Sequence, residues 1–343
     1  MGIGYVAAMI MQMPSGYIAD HYGQKSALII SKLLLVLSTF FYLIADGFLV
    51  FMLGSICMSL ALSAFSSGTN ASFLKGALEK LGRGDEYRQV SSKISGNVSL
   101  ISIGFILTLP LLTEVDMRAP LIFAGLIDIV GLIVACSIVP IHTKIEQYEK
   151  KPLRTLIQEL RGTGFFPYAL FVAIISGFLF ADNAYRSPYL VSLGYPLMYI
   201  GLGMASSRLV WWYVGRSVKT IERYISFKKL IILEIFVFPI YYITTGYVEN
   251  PWIVLALFSL TVGWFWGRSE IYTDHLIERI PDKRYRSTAL SLKSQMQNIF
   301  EMSVSFGIAW VMGISYSLGF QVLGIVMFFL LCGVYYFGIR RIK

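Results

Sequence analysis

The chain has 343 residues, of which 56% are hydrophobic and only 14% charged, and its mean hydropathy is +0.66. A soluble domain carries about 25% charged residues, so this composition excludes a soluble enzyme, a DNA-binding protein and a secreted disulfide scaffold. The net charge of +9 is therefore tested first against the sidedness of a membrane, and not against nucleic acid.

A bilayer core of about 30 Å takes roughly 20 apolar residues of helix. Eleven runs come close to that length: 1–19, 27–45, 48–74, 94–113, 120–140, 167–189, 197–215, 230–248, 252–273, 289–313 and 318–339. They are too long, and too free of period-two alternation, to be barrel strands. An all-α integral membrane protein with about eleven transmembrane helices is the expectation. The first run leads from Met1 with no charge before Asp20 and no basic flank of a signal peptide. It reads as the start of a chain recorded without its first span.

The breaks between runs are sorted by charge. Lys25, the group from Lys75 to Lys93, the group from Lys144 to Arg161, the group from Arg216 to Lys229, the group from Arg279 to Arg286 and the end from Arg340 to Lys343 fall on alternate breaks. The intervening breaks hold one basic residue, Arg118. The basic side, with the C-terminus, is the cytoplasmic one. The expected place is a cell membrane of the bacterial inner or plasma type. The longest break, 141–166, is polar and mixed in charge, and reads as an amphipathic cytoplasmic connector. It divides a five-span bundle, 1–140, from a six-span bundle, 167–343.

An internal repeat fits that division. Residues 68–88 follow the third run and 267–286 follow the ninth. Gly68 matches Gly267, Phe73 matches Tyr272, and Leu78-Glu79-Lys80 matches Ile277-Glu278-Arg279. After a one-residue gap, Tyr87-Arg88 matches Tyr285-Arg286. Cys57, Cys136 and Cys332 lie in apolar runs, and His21, His142 and His275 in connectors, with no metal-ligand spacing. No metal, cofactor or nucleotide motif is expected, and no GxxxxGK[ST] occurs.

Between the first two runs lies Pro14-Ser15-Gly16-Tyr17-Ile18-Ala19-Asp20-His21-Tyr22-Gly23-Gln24-Lys25. Two glycines allow a tight turn, and an aspartate can accept hydrogen bonds from free N–H groups at a neighbouring helix start. The segment resembles the loop signature of the major facilitator superfamily, G-x-x-x-D-x-x-G-[RK]-[RK]. Gly16, Asp20, Gly23 and Lys25 match it, and Gln24 departs from it. Segments Ser66 to Leu81, Pro188-Tyr189-Leu190 before Leu193-Gly194, and Arg286 to Leu292 are similar to a subgroup of uncharacterised facilitators related to drug and sugar exporters. The resemblance implies twelve helices in two six-helix bundles, with the family's first helix missing here. It also implies that Asp20 holds the cytoplasmic side closed in the outward-facing state. The glycine-proline motif of the family's drug antiporters is absent, since 96–110 holds Gly96, Gly104 and Pro110 but no GPxxGG.

Ten ionisable residues fall within the runs, each costing on the order of 2.5–3.5 kcal/mol at mid-span. Lys32 and Glu234 lie within two turns of a cytoplasmic end, where a side chain can snorkel. Asp128 is isolated. Asp182 and Arg186 are four apart on one helix face, fit for an ion pair or for binding. Arg208 has Asp182 or Glu270 as possible partners, or an anionic substrate group. Arg268 and Glu270, two apart, point to different sides. Asp182 and Glu270 are the proton-carrier candidates. Lys293, Gln297, Glu301 and Ser305 recur every four residues as one polar stripe, facing a cavity or another helix. Trp211, Trp212, Trp264 and Trp266 read as packing residues that can also stack on substrate.

These residues point to a secondary transporter that moves a small molecule by alternating access, with proton-coupled efflux as the leading mode. A non-transporting receptor or scaffold, or an inactive truncated carrier, is the alternative. An integral-membrane enzyme would need a catalytic cluster on a loop, and the outer breaks are too short to hold one. The expected partners are the small-molecule substrate, protons and the bilayer, with no nucleic acid, and the expected state is a monomer.

Overall fold

A backbone in hydrocarbon must close its hydrogen bonds within itself, and the apolar runs do so as α-helices in this computed structural model. The structure describes residues 2–66, 68–112, 116–139, 153–196 and 199–342. Among them there is no strand. The expected connector is outside the described residues over 140–152, as is Glu114 of an outer break.

In chain order the helices are α1 (Gly2–Tyr22), α2 (Gln24–Leu43), α3 (Phe48–Ser59), α4 (Thr69–Lys80), α5 (Tyr87–Leu112), α6 (Ala119–Ser137) and α7 (Leu153–Gly162). They continue as α8 (Phe165–Ala181), α9 (Asn183–Ser192), α10 (Ile200–Tyr224), α11 (Phe227–Tyr247), α12 (Pro251–Glu278), α13 (Arg286–Ile314) and α14 (Tyr316–Phe337). Two expected runs are subdivided. The third passes from α3 through a π-helical turn, Leu60–Phe65, into α4. The sixth breaks at Asp182, between α8 and α9. The end of the connector forms α7, with Arg154 and Arg161 among its polar residues.

Six helical segments among the described residues are long and apolar enough to cross a membrane, or seven if the bent pair Arg154–Gly162 and Phe165–Ala181 is one span. The all-helical membrane fold stands, and the expected count of eleven is not confirmed. The charged residues of α10, α12 and α13 lower the hydropathy of those helices although their length is ample.

The chain divides into two compact units. The first comprises Met1–Tyr87, Leu109–Phe165 and Leu276–Gln295, and the second Arg88–Thr108, Phe166–His275 and Met296–Lys343. In the first unit, α2 packs on α3 and α6, and α1 packs on the π-helical turn. Serines tie these contacts. Ser15 Oγ donates to the Ala64 carbonyl at 2.7 Å, Ser31 Oγ to Ala61 at 2.9 Å and Ser38 Oγ to Gly54 at 2.8 Å. Two of those carbonyls lie in the π-helical turn. Hydroxyls thus bind carbonyls across helices, a role polar side chains take where lipid offers no partner.

In the second unit, α11 packs along α14. Gln321 Nε2 and Ser317 Oγ both donate to the Gly246 carbonyl. The pair Gly263 and Gly267 on α12 meets α10 closely: a Cβ at either would lie 2.4–2.6 Å from Val210 or Val214. That is the small-residue spacing by which membrane helices approach.

Gly68 and Gly82 separate two effects of glycine. Both have positive φ, +74° and +71°. A Cβ at Gly68 would also lie 2.8 Å from Leu290 Cβ, whereas nothing lies within 4 Å at Gly82. Gly82→Ala should cost about 1 kcal/mol, the backbone effect alone. Gly68→Ala should cost clearly more, read as a larger drop in melting temperature in detergent. Equal drops would show that the approach to Leu290 is not tight.

Candidate functional site

The first turn of α13 has free N–H groups, as any helix start does, and Asp20 at the end of α1 supplies the acceptor. Ser287 N donates to Asp20 Oδ1 at 3.1 Å, and Thr288 N and Oγ1 both donate to Oδ2 at 2.7 Å. The close approach requires Gly16, where a Cβ would lie 2.5 Å from Ser291 Oγ and 2.9 Å from the Ser287 carbonyl. Gly23, with φ +92°, makes the turn into α2. Lys25 Nζ donates to the Cys136 carbonyl in the last turn of α6 at 2.8 Å, a favourable place for a cation. All four residues of the loop signature are therefore engaged, within the first unit.

Beside this contact, Arg286 holds Glu79 with two hydrogen bonds of 2.8 Å, and Lys283 reaches the same carboxylate at 3.2 Å. In the second unit Arg88 holds Asp274 at 2.6 Å and Glu222 at 2.7 Å. Arg88 and Arg286 are matched positions of the internal repeat, and each binds a carboxylate carried by the other repeat segment or its neighbour. Neither pairing was among the expected site residues. The repeated Tyr-Arg dipeptide was the signal that could have found them.

Deeper in the second unit, Arg268 and Glu234 are both 0% exposed, with Nε 2.8 Å from Oε1. Tyr272 Oη donates to Glu234 Oε2 at 2.8 Å, and Trp264 Nε1 to Oε1 at 3.1 Å. The guanidinium lies against the rings of Tyr272, Phe265 and Phe238, 4.4–5.7 Å from their centroids. This overturns the snorkelling expected for Glu234. Its distance from a helix end suggested water, but the residues across from it close it off completely. Glu270, two residues after Arg268, accepts instead from Ser91 Oγ at 2.8 Å. Asp128 accepts from Thr39 Oγ1 at 3.0 Å, within the first unit.

Asp182 stands at the α8–α9 break and is fully buried, and Arg186 bonds to its Oδ1 and to the Leu179 carbonyl. Arg186 also lines a cavity of about 350 Å³ bounded by residues of α5, α8, α9, α10 and α12. Arg208, about a third of the way along α10, lines it as well. Arg208 makes no ion pair among the described residues, so neither expected partner, Asp182 nor Glu270, is used. Its guanidinium lies 5.1 Å from the Trp211 ring, which stacks on Trp266 at 5.1 Å. Trp211 is fixed by donating to Ser95 Oγ at 3.0 Å. The stripe of α13 is divided: Lys293 belongs to the first unit, and Gln297, Glu301 and Ser305 to the second. None of these four lines the described cavity. Arg268 does not line it either, although Phe265 beneath its guanidinium does.

Comparison with known proteins bears on this arrangement. The family model described as Major Facilitator Superfamily matches residues 1–299. The chain belongs to the Major Facilitator Superfamily. Membership makes it a multi-pass membrane protein and a secondary transporter, in a superfamily made of transporters and not enzymes. No curated protein matches the sequence. Among solved structures, the human organic anion transporter MFSD10 (TETRAN) is similar with a TM-score of 0.72 and 14% identity, over 96% of this chain and 82% of that one. A single-residue variant of the E. coli fucose:proton symporter FucP is similar with a TM-score of 0.72 and 11% identity, over 97% and 90%. FucP in its outward conformation gives 0.73 and 12%, over 97% and 89%. At these identities the likeness concerns the superfamily fold alone.

Two measurements test the site. Glu234→Gln leaves the Arg268 charge buried without its counter-ion and should destabilise the protein by about 3–5 kcal/mol. Adding Arg268→Met should recover much of that loss in thermal unfolding, and additive losses would rule out a coupled pair. Burial pushes the Asp20 carboxyl up from 3.8 to about 6, against the lowering effect of its Thr288 and Ser287 hydrogen bonds. The folded site thus binds a proton more tightly than the unfolded chain, so its stabilising contribution is full below pH 3.8 and lost as pH rises through about 6. The fall in melting temperature from about pH 4 to about pH 7 should be smaller in Asp20→Asn than in the native protein.

Proposed function

We propose that this superfamily member moves a small molecule by alternating access, in two helical bundles of five and six spans divided at 141–166, with proton-coupled efflux as its mode. The observation that carries the reading is the second unit's cavity, with Arg186 and Arg208 on its wall. A mid-helix arginine facing open space in a membrane protein marks a substrate or ion path by default. In this reading Lys293, Gln297 and Glu301, on the polar stripe of α13, remain proposed substrate or coupling residues outside the cavity. Asp182 and Glu270 are the proposed proton carriers. Arg186 is the proposed partner of Asp182 when that carboxyl is ionised, and Arg268, held by Glu234, keeps the packing beside the path. The organic anion and proton-coupled sugar transporters among the similar folds are in keeping with a polar solute and a proton gradient. The chain acts as a monomer, in a plasma membrane of bacterial type, with its basic breaks in the cytoplasm.

The Asp20 contact is proposed as the latch of the outward-facing state. It joins the start of α13 to a side chain in the last turn of α1, so it can part without unfolding either helix. Asn at position 20 would keep one acceptor but turn an amide donor towards the Ser287 or Thr288 N–H. That loss is worth about 1–3 kcal/mol, enough to shift a balance between two states severalfold or more.

Flux into proteoliposomes under an imposed pH gradient tests the whole reading. Uptake of a labelled solute should depend on the gradient. Asp182→Asn or Glu270→Gln should change its pH profile, and Asp20→Asn should slow transport and shift the accessibility of thiol labels on the two membrane sides. A folded protein that binds solute and carries none would identify a receptor or an inactive carrier. Unchanged pH profiles in both carboxylate variants would remove proton coupling.

A further inference from the structure

We infer that the second unit's cavity binds an organic monoanion carrying a planar aromatic ring, with Arg208 taking the negative charge. This deepens the transport reading by naming the substrate class of the same cavity, and it rests on that reading only for the steps after binding.

The charge inventory of the wall leads to one negative charge. Arg186 and Arg208 are the ionisable residues among those lining the cavity, and no carboxylate is among them. Arg186 is already neutralised by Asp182 beneath it and has a second acceptor in the Leu179 carbonyl. Arg208 has no ion pair among the described residues, and its contact is the face of Trp211. A ring face softens the cost of an unpaired guanidinium without cancelling its charge. The site is thus one negative charge short. A cation entering would meet one net positive charge. A dianion would bring a second charge with no cation left to meet it, at a cost too high for a low-dielectric wall.

The remaining wall selects the body of the ligand. Phe180, Phe258, Phe265 and Trp266 surround the cavity. Phe180 meets Trp266 edge-on, with centroids 5.7 Å apart and planes at 80°, and Trp266 is backed by the stacked Trp211. Four rings held in fixed orientation favour a flat π-system over a flexible or saturated body, since aromatic pairs gain attraction beyond area burial. Asn183, Ser187 and Ser207 add neutral hydrogen-bonding groups, the sparse polar set that fixes orientation in a mostly apolar site. A volume of about 350 Å³ is at the small end for ligand sites and suits one or two fused rings with a carboxylate.

Calorimetric titration of the purified protein in detergent, against matched empty micelles, tests this without requiring flux. The probes are 2-naphthoate, 2-naphthylmethylammonium, 2-naphthylmethanol and the saturated decahydronaphthalene-2-carboxylate. 2-Naphthoate should bind at least tenfold more tightly than each of the other three. Arg208→Gln should weaken it roughly 10- to 100-fold, and Arg208→Lys less, because the charge is kept. Equal binding of the ammonium or the alcohol, no binding of naphthoate by the folded native protein, or unchanged affinity in Arg208→Gln would overturn the assignment. Equal binding of the saturated acid would overturn its aromatic part. Should the glutamine variant fail to fold, the native protein's selectivity still decides. Naphthoate binding without flux would instead overturn the transport reading and leave this one standing.

Discussion

Hydrocarbon offers no hydrogen bonds and no counter-ions, so every polar group placed in a membrane must find its partner in the protein. Most of what holds this fold comes from that constraint. The serine hydroxyls of the first unit bind carbonyls of facing helices, two of them in a π-helical turn whose Ser66 N–H reaches back five residues to Ala61. Glycines let helices come close enough for those bonds to form. Apolar packing alone would not choose this arrangement, because lipid tails are as apolar as leucine. The polar contacts and the small residues choose it.

The same demand acts at the helix ends, and there it meets the internal repeat. Arg286 and Arg88 stand at the starts of α13 and α5 and hold carboxylates at 2.6–2.8 Å. A cation at a helix start is disfavoured by the helix dipole, so each needs a carboxylate close by, and each has one. In the first unit the free N–H groups of α13 are met by Asp20. One helix start thereby gathers both an anion for its backbone and an anion for its side chain. Position by position the repeat is inexact, since Arg88 uses Asp274 where strict correspondence with Glu79 would have chosen Glu278. What is retained is the pairing of an arginine at a helix start with a carboxylate on a neighbouring element.

The positions of the helices were legible in the sequence because the apolar runs are long and the breaks between them charged. So was Asp20 as an acceptor for a helix start, although Pro14–Tyr22, expected in the break between two runs, belongs to α1. Partner choice was not legible. Glu234 looked close to water when counted along its own helix, but the residues that bury it, Arg268, Trp264 and Tyr272, come from α12. Arg208 had Asp182 and Glu270 as possible partners along the chain, but Asp182 faces Arg186 one turn on and Glu270 accepts from Ser91. The break at Asp182, where the chain passes from the apolar α8 into the polar α9, was not read from the sequence either. Distance along a chain predicts the face of a helix, not which neighbour that face meets.

Two arginines in the second unit show how the constraint separates structure from function. Arg268 is fully buried, with a carboxylate 2.8 Å from Nε and three rings around its guanidinium. Its charge is cancelled within the protein, and removing either partner leaves the other uncompensated. Arg208 is half-buried, rests on one ring and has no ion-pair partner among the described residues. An arginine of the first kind can be replaced, with its partner, by apolar residues and leave a sound fold. One of the second kind contributes nothing to the fold that a neutral residue would not. On the wall of an open cavity its charge is placed where the proposed anion, arriving from outside the chain, would neutralise it. The unmet charge is then binding energy held in reserve, released when an anion enters and recovered when it leaves.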